Sequence, residues 1–162
     1  SNQIKIIKNE LKKLNIKSNY NEKFSLNENL KNLNKQLDQA RVKNIIQNKN
    51  EIVDEKFENF IFRQQILTDL PSKELRGIID QGKKEIKSGI IMACCTYEGK
   101  IGVAIGVTDK LVLKFDAVKL VKEAAEILGG KGGGGRKDFA QAGGINKDKI
   151  RDAFKALKKK IN

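Results

Sequence analysis

The chain has 162 residues with only 6% aromatic residues and no Trp, so a single large hydrophobic core over the whole length is not expected. Its formal net charge of +13 favours a partner that carries phosphates or another anionic surface, although a coding bias toward Lys, Asn and Ile would also raise the charge. No apolar run approaches the roughly 18 residues that a membrane span needs, so we expect a cytoplasmic protein with no membrane partner.

The first 50 residues carry two helical patterns. The first helix is predicted from apolar residues in alternating steps of three and four, at Ile4, Ile7, Leu11 and Leu14. Ser25 and Glu28 have the spacing of a capping box, which predicts the start of a second helix. The apolar stripe of that helix is Leu26, Leu30, Leu33, Leu37 and Ala40. We therefore expect residues 1–50 to form a helical hairpin, whose stripe could pair with the first helix or with a second copy in a homodimer.

Residues 51–162 are predicted to form a small globular domain, because β-branched and aromatic residues appear after Asn50. The stretch from Phe57 to Leu67 predicts a strand with its flanks. Pro71 is expected to open a helix that continues to about Lys87 and ends at Gly89.

Two apolar runs follow, Ile90–Thr96 and Ile101–Thr108, and the short Gly-containing connection between them predicts an antiparallel pair. Helical spacing returns over Phe115–Leu128 and again over Lys147–Ile161. Cys94 and Cys95 are adjacent in the first of these runs, so their side chains should point to opposite faces of a strand and be buried there.

The chemistry of several enzyme and metal sites is missing from the sequence. There is no His, and the two adjacent cysteines do not have the spacing of a zinc finger or a disulfide scaffold. A His general base and a Cys/His nucleophile pair are excluded for the same reason. The only Met is Met92, so the chain also lacks an initiator Met and we expect it to be a piece of a longer protein.

A glycine-rich segment, residues 129–144, separates the last two predicted helices. So many glycines cost backbone entropy, which indicates positive φ values or a ligand that approaches the main chain closely. Exposed N–H groups flanked by Lys131 and Arg136 would form an anion-binding nest. A flexible linker is the alternative, but linkers are usually uncharged. A nucleotide P-loop is disfavoured because Lys131 is followed by Gly132 instead of Ser or Thr, and because the segment follows a helix.

The string GGKGGGGRKDFAQAGG, preceded by VKLVKEAAEILGG, resembles the DHHA1 domain as it occurs at the C-terminus of alanyl-tRNA synthetases. Residues 75–80 resemble the Leu-Arg-x-x-x-Asp helix of the same domain, so the resemblance covers about residues 57–162. Related DHH-family phosphoesterases usually have a His after the first glycines, and Lys131 occupies that place here.

This resemblance implies an α+β fold, in which the helical hairpin precedes a small mixed-sheet DHHA1-like domain with a Gly-rich loop. It implies that the parent enzyme joins alanine to its tRNA with ATP, Mg²⁺ and zinc and edits mischarged tRNA, while this domain holds the outer corner of the tRNA. The fragment itself should need no cofactor and should not catalyse, because it lacks His and is too short for the aminoacylation core.

The candidate RNA-binding residues lie in the Gly-rich loop and at the start of the last helix. They are Lys131, Gly132, Gly133, Gly134, Gly135, Arg136, Lys137, Gln141, Lys147, Lys149 and Arg151. We expect the cations to meet phosphates and Gln141 to bond a base or a 2′-hydroxyl. Two other functions stay open, namely the nucleic-acid-binding half of a DHH-type phosphoesterase and a dimerisation module.

Overall fold

The computed structural model describes residues 1–48 and 51–162. They form two compact units, of which the first is Ser1–Asn48 and the second holds the described residues from Glu51 onward. The predicted boundary between residues 50 and 51 adjoins residues 49 and 50, which lie outside the described residues. Within the described ranges, no helix combines the length and the apolar character needed to cross a membrane.

The first unit is a pair of helices, α1 (Asn2–Lys13) and α2 (Leu26–Asn48), as the periodicity predicts. The capping box is formed in both directions: the Ser25 N–H donates to Glu28 Oε2 at 3.0 Å, and the Glu28 N–H donates to Ser25 Oγ at 3.2 Å. These two bonds satisfy backbone donors that a helix start leaves unpaired.

The core of this unit lies between α1 and α2. It contains Ile4, Ile7, Leu11, Leu33, Leu37 and Ala40. The prediction was wrong at Leu26, which is 55% exposed because it is the first residue of α2 and precedes the contact with α1. Since Leu33 and Leu37 are buried against α1, the predicted stripe is used within the chain, and a homodimer would need other residues.

The second unit is built on a six-stranded mixed sheet. Its strands are β1 (Ile52–Lys56), β2 (Ile61–Thr68), β3 (Gly89–Tyr97), β4 (Lys100–Val107), β5 (Gly134–Arg136) and β6 (Phe139–Gly144). They are ordered β1-β2-β3-β4-β6-β5, and only β2 and β3 run parallel. The parallel pair requires a crossover, which α3 (Leu75–Ile86) supplies. This arrangement confirms the predicted α+β class.

Helices cover both faces of the sheet. On one face, here called the α4 face, the helices α4 (Ala117–Ile127) and α5 (Ile150–Ile161) pack on alternate residues of the central strands, such as Met92, Cys94 and Val103. The opposite face, here called the α3 face, carries α3, which lies over β3 and β4. Both predicted apolar runs are therefore buried on two sides, which explains why they lack polar alternation.

Both cysteines are buried, as predicted, and they serve different layers. Cys94 belongs to the core of the α4 face, while a side chain added at Gly102 would meet Cys95 Sγ and Leu75 on the α3 face. Burial raises the pKa of both thiols, and at Cys95 hydrogen bonding to the Gly102 backbone partly opposes the effect.

The structure corrects the predicted ends of α3. Residues Ser72–Glu74 form a 3₁₀ turn before the helix, and the helix is capped at Lys87, not at Gly89. Gly89 is instead the first residue of β3, where a Cβ atom would collide with the Ile61 carbonyl oxygen on the neighbouring strand. Its lack of a side chain thus serves strand pairing and not helix termination.

An ion-pair network centred on the buried Arg63 side chain joins β1, β2 and α3. The Arg63 guanidinium donates to both oxygens of Asp54, at 2.8 and 2.9 Å, and to Glu85 Oε1 at 2.7 Å. The hydrogen bond to Asp54 is the largest influence that raises the pKa of Arg63, ahead of the opposing effect of burial. The short strand β1, which the sequence did not predict, is held at the sheet edge partly by this contact.

The predicted Gly-rich loop is largely a β-hairpin. Gly134–Arg136 and Phe139–Gly144 pair as β5 and β6, and β6 also pairs along its length with β4. The composition of the segment predicts a loop because glycine and alanine have low strand propensity. The pairing edge of β4 and the tight fit against α4 outweigh that local preference.

Candidate nucleic-acid interface

The hairpin begins at a tightly defined end of α4. The Gly129 N–H donates to the Glu126 carbonyl at 3.2 Å, and the Gly130 N–H donates to the Ala125 carbonyl at 2.8 Å. These are the two bonds of a Schellman motif, whose left-handed position is filled by Gly129 with a φ of +77°. The motif turns the chain out of α4 and directs the next residues across the end of β6.

Arg136 and Gln141 lie on the α3 face. Arg136 pairs with Phe139 in the β5–β6 register, and directly opposed residues of an antiparallel pair share a face. Phe139 lies on the α3 face because the Arg76 guanidinium of α3 stacks over its ring at 4.7 Å. Gln141 is two residues farther along β6 and therefore shares that face. Both predicted side chains are exposed.

Gly133, the residue before β5, lies on the other side of the hairpin. A Cβ atom at Gly133 would be 3.1 Å from Val121 Cγ1 of α4 and 3.0 Å from Ala142 Cβ, which places Gly133 on the α4 face. Lys131 and Gly132 precede it and are exposed. The structure therefore places Gly133 and Arg136 on opposite sides of one narrow hairpin, with exposed Lys131 at its start.

The turn of the hairpin is fixed by one backbone hydrogen bond from α4 and one from β4. The Ala117 N–H donates to the Lys137 carbonyl at 2.9 Å, and the Val107 N–H donates to the Asp138 carbonyl at 2.9 Å. Arg136 Nε is 3.8 Å from Asp138 Oδ1, an exposed ion pair that leaves most of the guanidinium available. The Lys137 side chain is exposed at this turn.

The predicted cations near the last helix stand apart from the hairpin turn. Lys147 and Lys149 lie in a 3₁₀ turn and Arg151 lies in the first turn of α5, which packs on the α4 face. All three side chains are exposed, and Lys149 Nζ is 3.7 Å from Asp152.

Two cations on α3 lie beside the hairpin but were not among the predicted RNA-binding residues. Arg76 covers Phe139, and Lys83 Nζ donates to the Asp138 carbonyl at 2.9 Å. Their separation of seven residues puts both on one side of a helix, a signal that the sequence contains. It could not be used without knowing that α3 packs beside β6.

The described residues also limit the chemistry of this surface. Within residues 1–48 and 51–162, no three His, Cys, Asp or Glu side chains come together as a metal site would require. The surface offers cations, one amide and exposed main-chain groups, a set suited to binding an anionic partner.

Comparisons with known proteins agree with this architecture. The DHHA1 domain family matches residues 59–162. The chain is 52% identical over 86 residues to the alanine–tRNA ligase of Hyphomonas neptunium and 51% identical over 86 residues to that of Rhodopseudomonas palustris. These alignments cover 53% and 52% of this chain but only 10% of each ligase.

Solved structures give the same result. The C-Ala domain of Aquifex aeolicus alanyl-tRNA synthetase superposes with a TM-score of 0.61 and 31% identity, over 66% of this chain and 96% of that domain. A DHH domain described as a member of the s1p family of ribosomal proteins shares the fold at 17% identity and a TM-score of 0.52, over 82% of this chain and 33% of its own. The chain belongs to the DHHA1 domain family, as the C-Ala type found in alanyl-tRNA synthetases.

Proposed function

We propose that this chain is the tRNA-binding part of an alanine–tRNA ligase and holds the outer corner of the tRNA. The observation that carries the proposal is the exposed β5–β6 hairpin. In it, the side chains of Arg136 and Gln141 lie next to main chain that the glycines leave uncovered. The ligase would act in the cytoplasm with ATP, Mg²⁺ and zinc bound elsewhere in its chain. Holding the corner would let one tRNA reach both the aminoacylation and the editing centre.

The chemistry of the hairpin suits a folded RNA. A tRNA corner presents phosphates, 2′-hydroxyls and stacked bases on a convex surface, so it needs a flat or ridged partner more than a deep pocket. Arg76 and Arg136 would meet phosphates on the α3 face, and exposed Lys131 would meet a further phosphate at the start of the hairpin. Gln141 can both donate and accept a hydrogen bond, as recognition of a base edge or a 2′-hydroxyl requires.

One alternative is supported by the shared fold. The DHH domain match allows the nucleic-acid-binding half of a phosphoesterase. However, Lys131 occupies the place where those enzymes usually have a His, and the identity to that domain is 17% against 31% to the C-Ala domain.

Replacement of Lys131 and Arg136 by Ala tests the proposal. The double variant should bind alanine tRNA more weakly, because two phosphate contacts are lost. The log–log dependence of Kd on salt should become shallower by roughly 0.7 to 0.9 for each contact. Titrations at several salt concentrations, repeated with a plain RNA duplex, measure both quantities. An unchanged slope would move the interface away from the hairpin.

The isolated chain should not activate alanine. It has no His, and we assign it no nucleotide site. ATP–pyrophosphate exchange in the presence of alanine should therefore stay at the background rate, while the full ligase shows exchange. Exchange above background by the isolated chain would refute a purely binding role.

A further inference from the structure

A second basic surface lies at the end of the sheet next to the hairpin turn. It is a cleft of about 550 Å³ between the C-terminal end of α3 and the segment that follows β4. Its lining residues are Lys83, Lys84, Lys87, Ser88, Thr108, Asp109 and Lys110. Four lysines and one aspartate give the lining a net charge of +3. Such a concentration of like charge in one concavity opposes folding, so it calls for a reason.

Helix electrostatics explain only part of this cluster. Lys83 and Lys84 lie in the last turn of α3, where cations ordinarily complement the negative end of the helix dipole. Lys110 comes from a different element, after β4, and makes no contribution of that kind. Lys87 is the C-cap residue of α3 and adopts an unfavourable backbone conformation.

Lys87 is held in a strained turn. Its φ is +66° and its ψ is −53°, and the Ser88 N–H donates to the Ile86 carbonyl at 2.8 Å across it. This is a γ-turn of the positive-φ form, which is rare and strained for a residue that has a Cβ atom. Gly would occupy the position at lower cost. A lysine kept there at the rim of a basic cleft indicates a function for its charge.

The floor of the cleft supplies a positioned hydroxyl. Thr108 Oγ1 accepts a hydrogen bond from the Gly89 N–H at 3.0 Å, and the Thr108 N–H donates to the Gly89 carbonyl at 3.1 Å. The two bonds fix the side chain and leave its own hydrogen to be donated to a ligand. Lysine ammonium groups around a fixed hydroxyl donor are a suitable set for a phosphate group.

Lys83 links the cleft to the hairpin. Its side chain passes over Gly106, and its ammonium group donates to the carbonyl of Asp138 in the hairpin turn at 2.9 Å. Exposed Lys137 and Arg136 stand on that same turn. Lys83 therefore connects the lining of the cleft to the hairpin turn that carries these two cations.

We propose that this cleft binds backbone phosphates of the same RNA as its strand continues beyond the hairpin. The inference rests on the proposed function, since the partner is the tRNA held by the hairpin. It extends the contact surface from β5 and β6 to the far end of α3 and the start of the segment after β4. The cleft recognises the phosphate backbone and carries no base specificity.

A cleft variant and a matched control variant, each with two lysines replaced, test this proposal. Lys84→Ala with Lys110→Ala removes two exposed cations of the cleft while keeping Lys83, which supports the hairpin turn. Lys155→Ala with Lys159→Ala removes the same charge from exposed positions on α5, across the sheet. The cleft pair should weaken alanine tRNA binding and lower the log–log salt slope by roughly 0.7 to 0.9 for each lysine. The control pair should leave the slope unchanged.

Lys87→Gly separates binding from folding. Gly relieves the positive-φ strain, so the thermal unfolding midpoint should not fall, while tRNA affinity should decrease because a cation is lost. If Lys87 had a purely structural role, the variant would have a lower unfolding midpoint and an unchanged tRNA affinity.

Each other outcome has a distinct meaning. Equal losses from both lysine pairs would show diffuse attraction and overturn the cleft site. An unaffected cleft pair, together with a sensitive Lys131 and Arg136 pair, would overturn the cleft site alone and leave the proposed function intact. If titrated pyrophosphate shifts the amide resonances of Thr108 and Lys110 but the cleft pair does not affect tRNA binding, the site is for a small anion and the RNA assignment is wrong. A wild-type chain that binds no tRNA would overturn both proposals.

Discussion

Gly134→Val should leave the fold intact and weaken tRNA binding by about tenfold or more. A Cβ atom at Gly134 would have no heavy atom within 4 Å, the residue is exposed, and its φ lies outside the positive range that disfavours side chains. Val also suits a strand. If RNA phosphate approaches the main chain of β5, the valine methyl groups would block it. Losing one hydrogen bond to a charged group costs about 1.5 to 3 kcal/mol, which corresponds to the tenfold change.

The matched control for this variant is Gly77→Ala on α3. A Cβ atom there also meets nothing within 4 Å, and Ala in place of Gly in a helix should stabilise the chain by roughly 0.5 to 1 kcal/mol. Thermal unfolding should confirm that both variants are folded, and tRNA titration should separate them. Wild-type affinity in the Gly134 variant would show that the ligand touches only side chains. Gly133 is a poorer probe because its φ of +130° strains any substitution.

Gly130→Ala should destabilise the chain by about 3 kcal/mol, at the upper end of the cost of overpacking. A Cβ atom there would collide with the carbonyl oxygen of Gly143, and backbone cannot move aside as a flexible side chain can. The end of α4 and β6 would have to separate. Urea denaturation of the variant measures the loss, with Gly134→Ala as a reference in the same hairpin.

The expected pattern for Gly130→Ala is a lower midpoint with an unchanged slope, since the surface exposed on unfolding stays the same. A stability equal to that of the reference would mean that the contact between α4 and β6 is loose.

Local signals in the sequence predicted most of the helices and the central hairpin. The capping box formed as expected because its two residues, Ser25 and Glu28, are only three positions apart in the chain. The pair β3 and β4 was predictable because two apolar runs flank a short connection that contains Gly99. In the structure Glu98 and Gly99 of this turn both have positive φ, at +48° and +78°. These features depend on residues close together in the chain.

Features that depend on distant residues were missed. The strand β6 is rich in Gly and Ala, and it forms because β4, more than 30 residues earlier, offers it a pairing edge. The short strand β1 is mostly polar and depends on the contact between Asp54 and Arg63.

The same distinction applies to the candidate site. Arg136 and Gln141 could be chosen from the motif, but their shared place on the α3 face follows from pairing that the sequence does not display. Arg76 and Lys83 became relevant only through the packing of α3 beside β6 and the hairpin turn.

The adjacent cysteines give the second unit an internal chemical reporter. Only the thiolate reacts with alkylating reagents, and burial raises the pKa of both thiols, so labelling requires the structure to open. Cys94 lies under α4 and α5, whereas Cys95 lies on the side covered by α3. Comparing the labelling rates of Cys94 and Cys95 therefore distinguishes detachment of α4 and α5 from detachment of α3. No cysteine has to be introduced by mutation for this measurement.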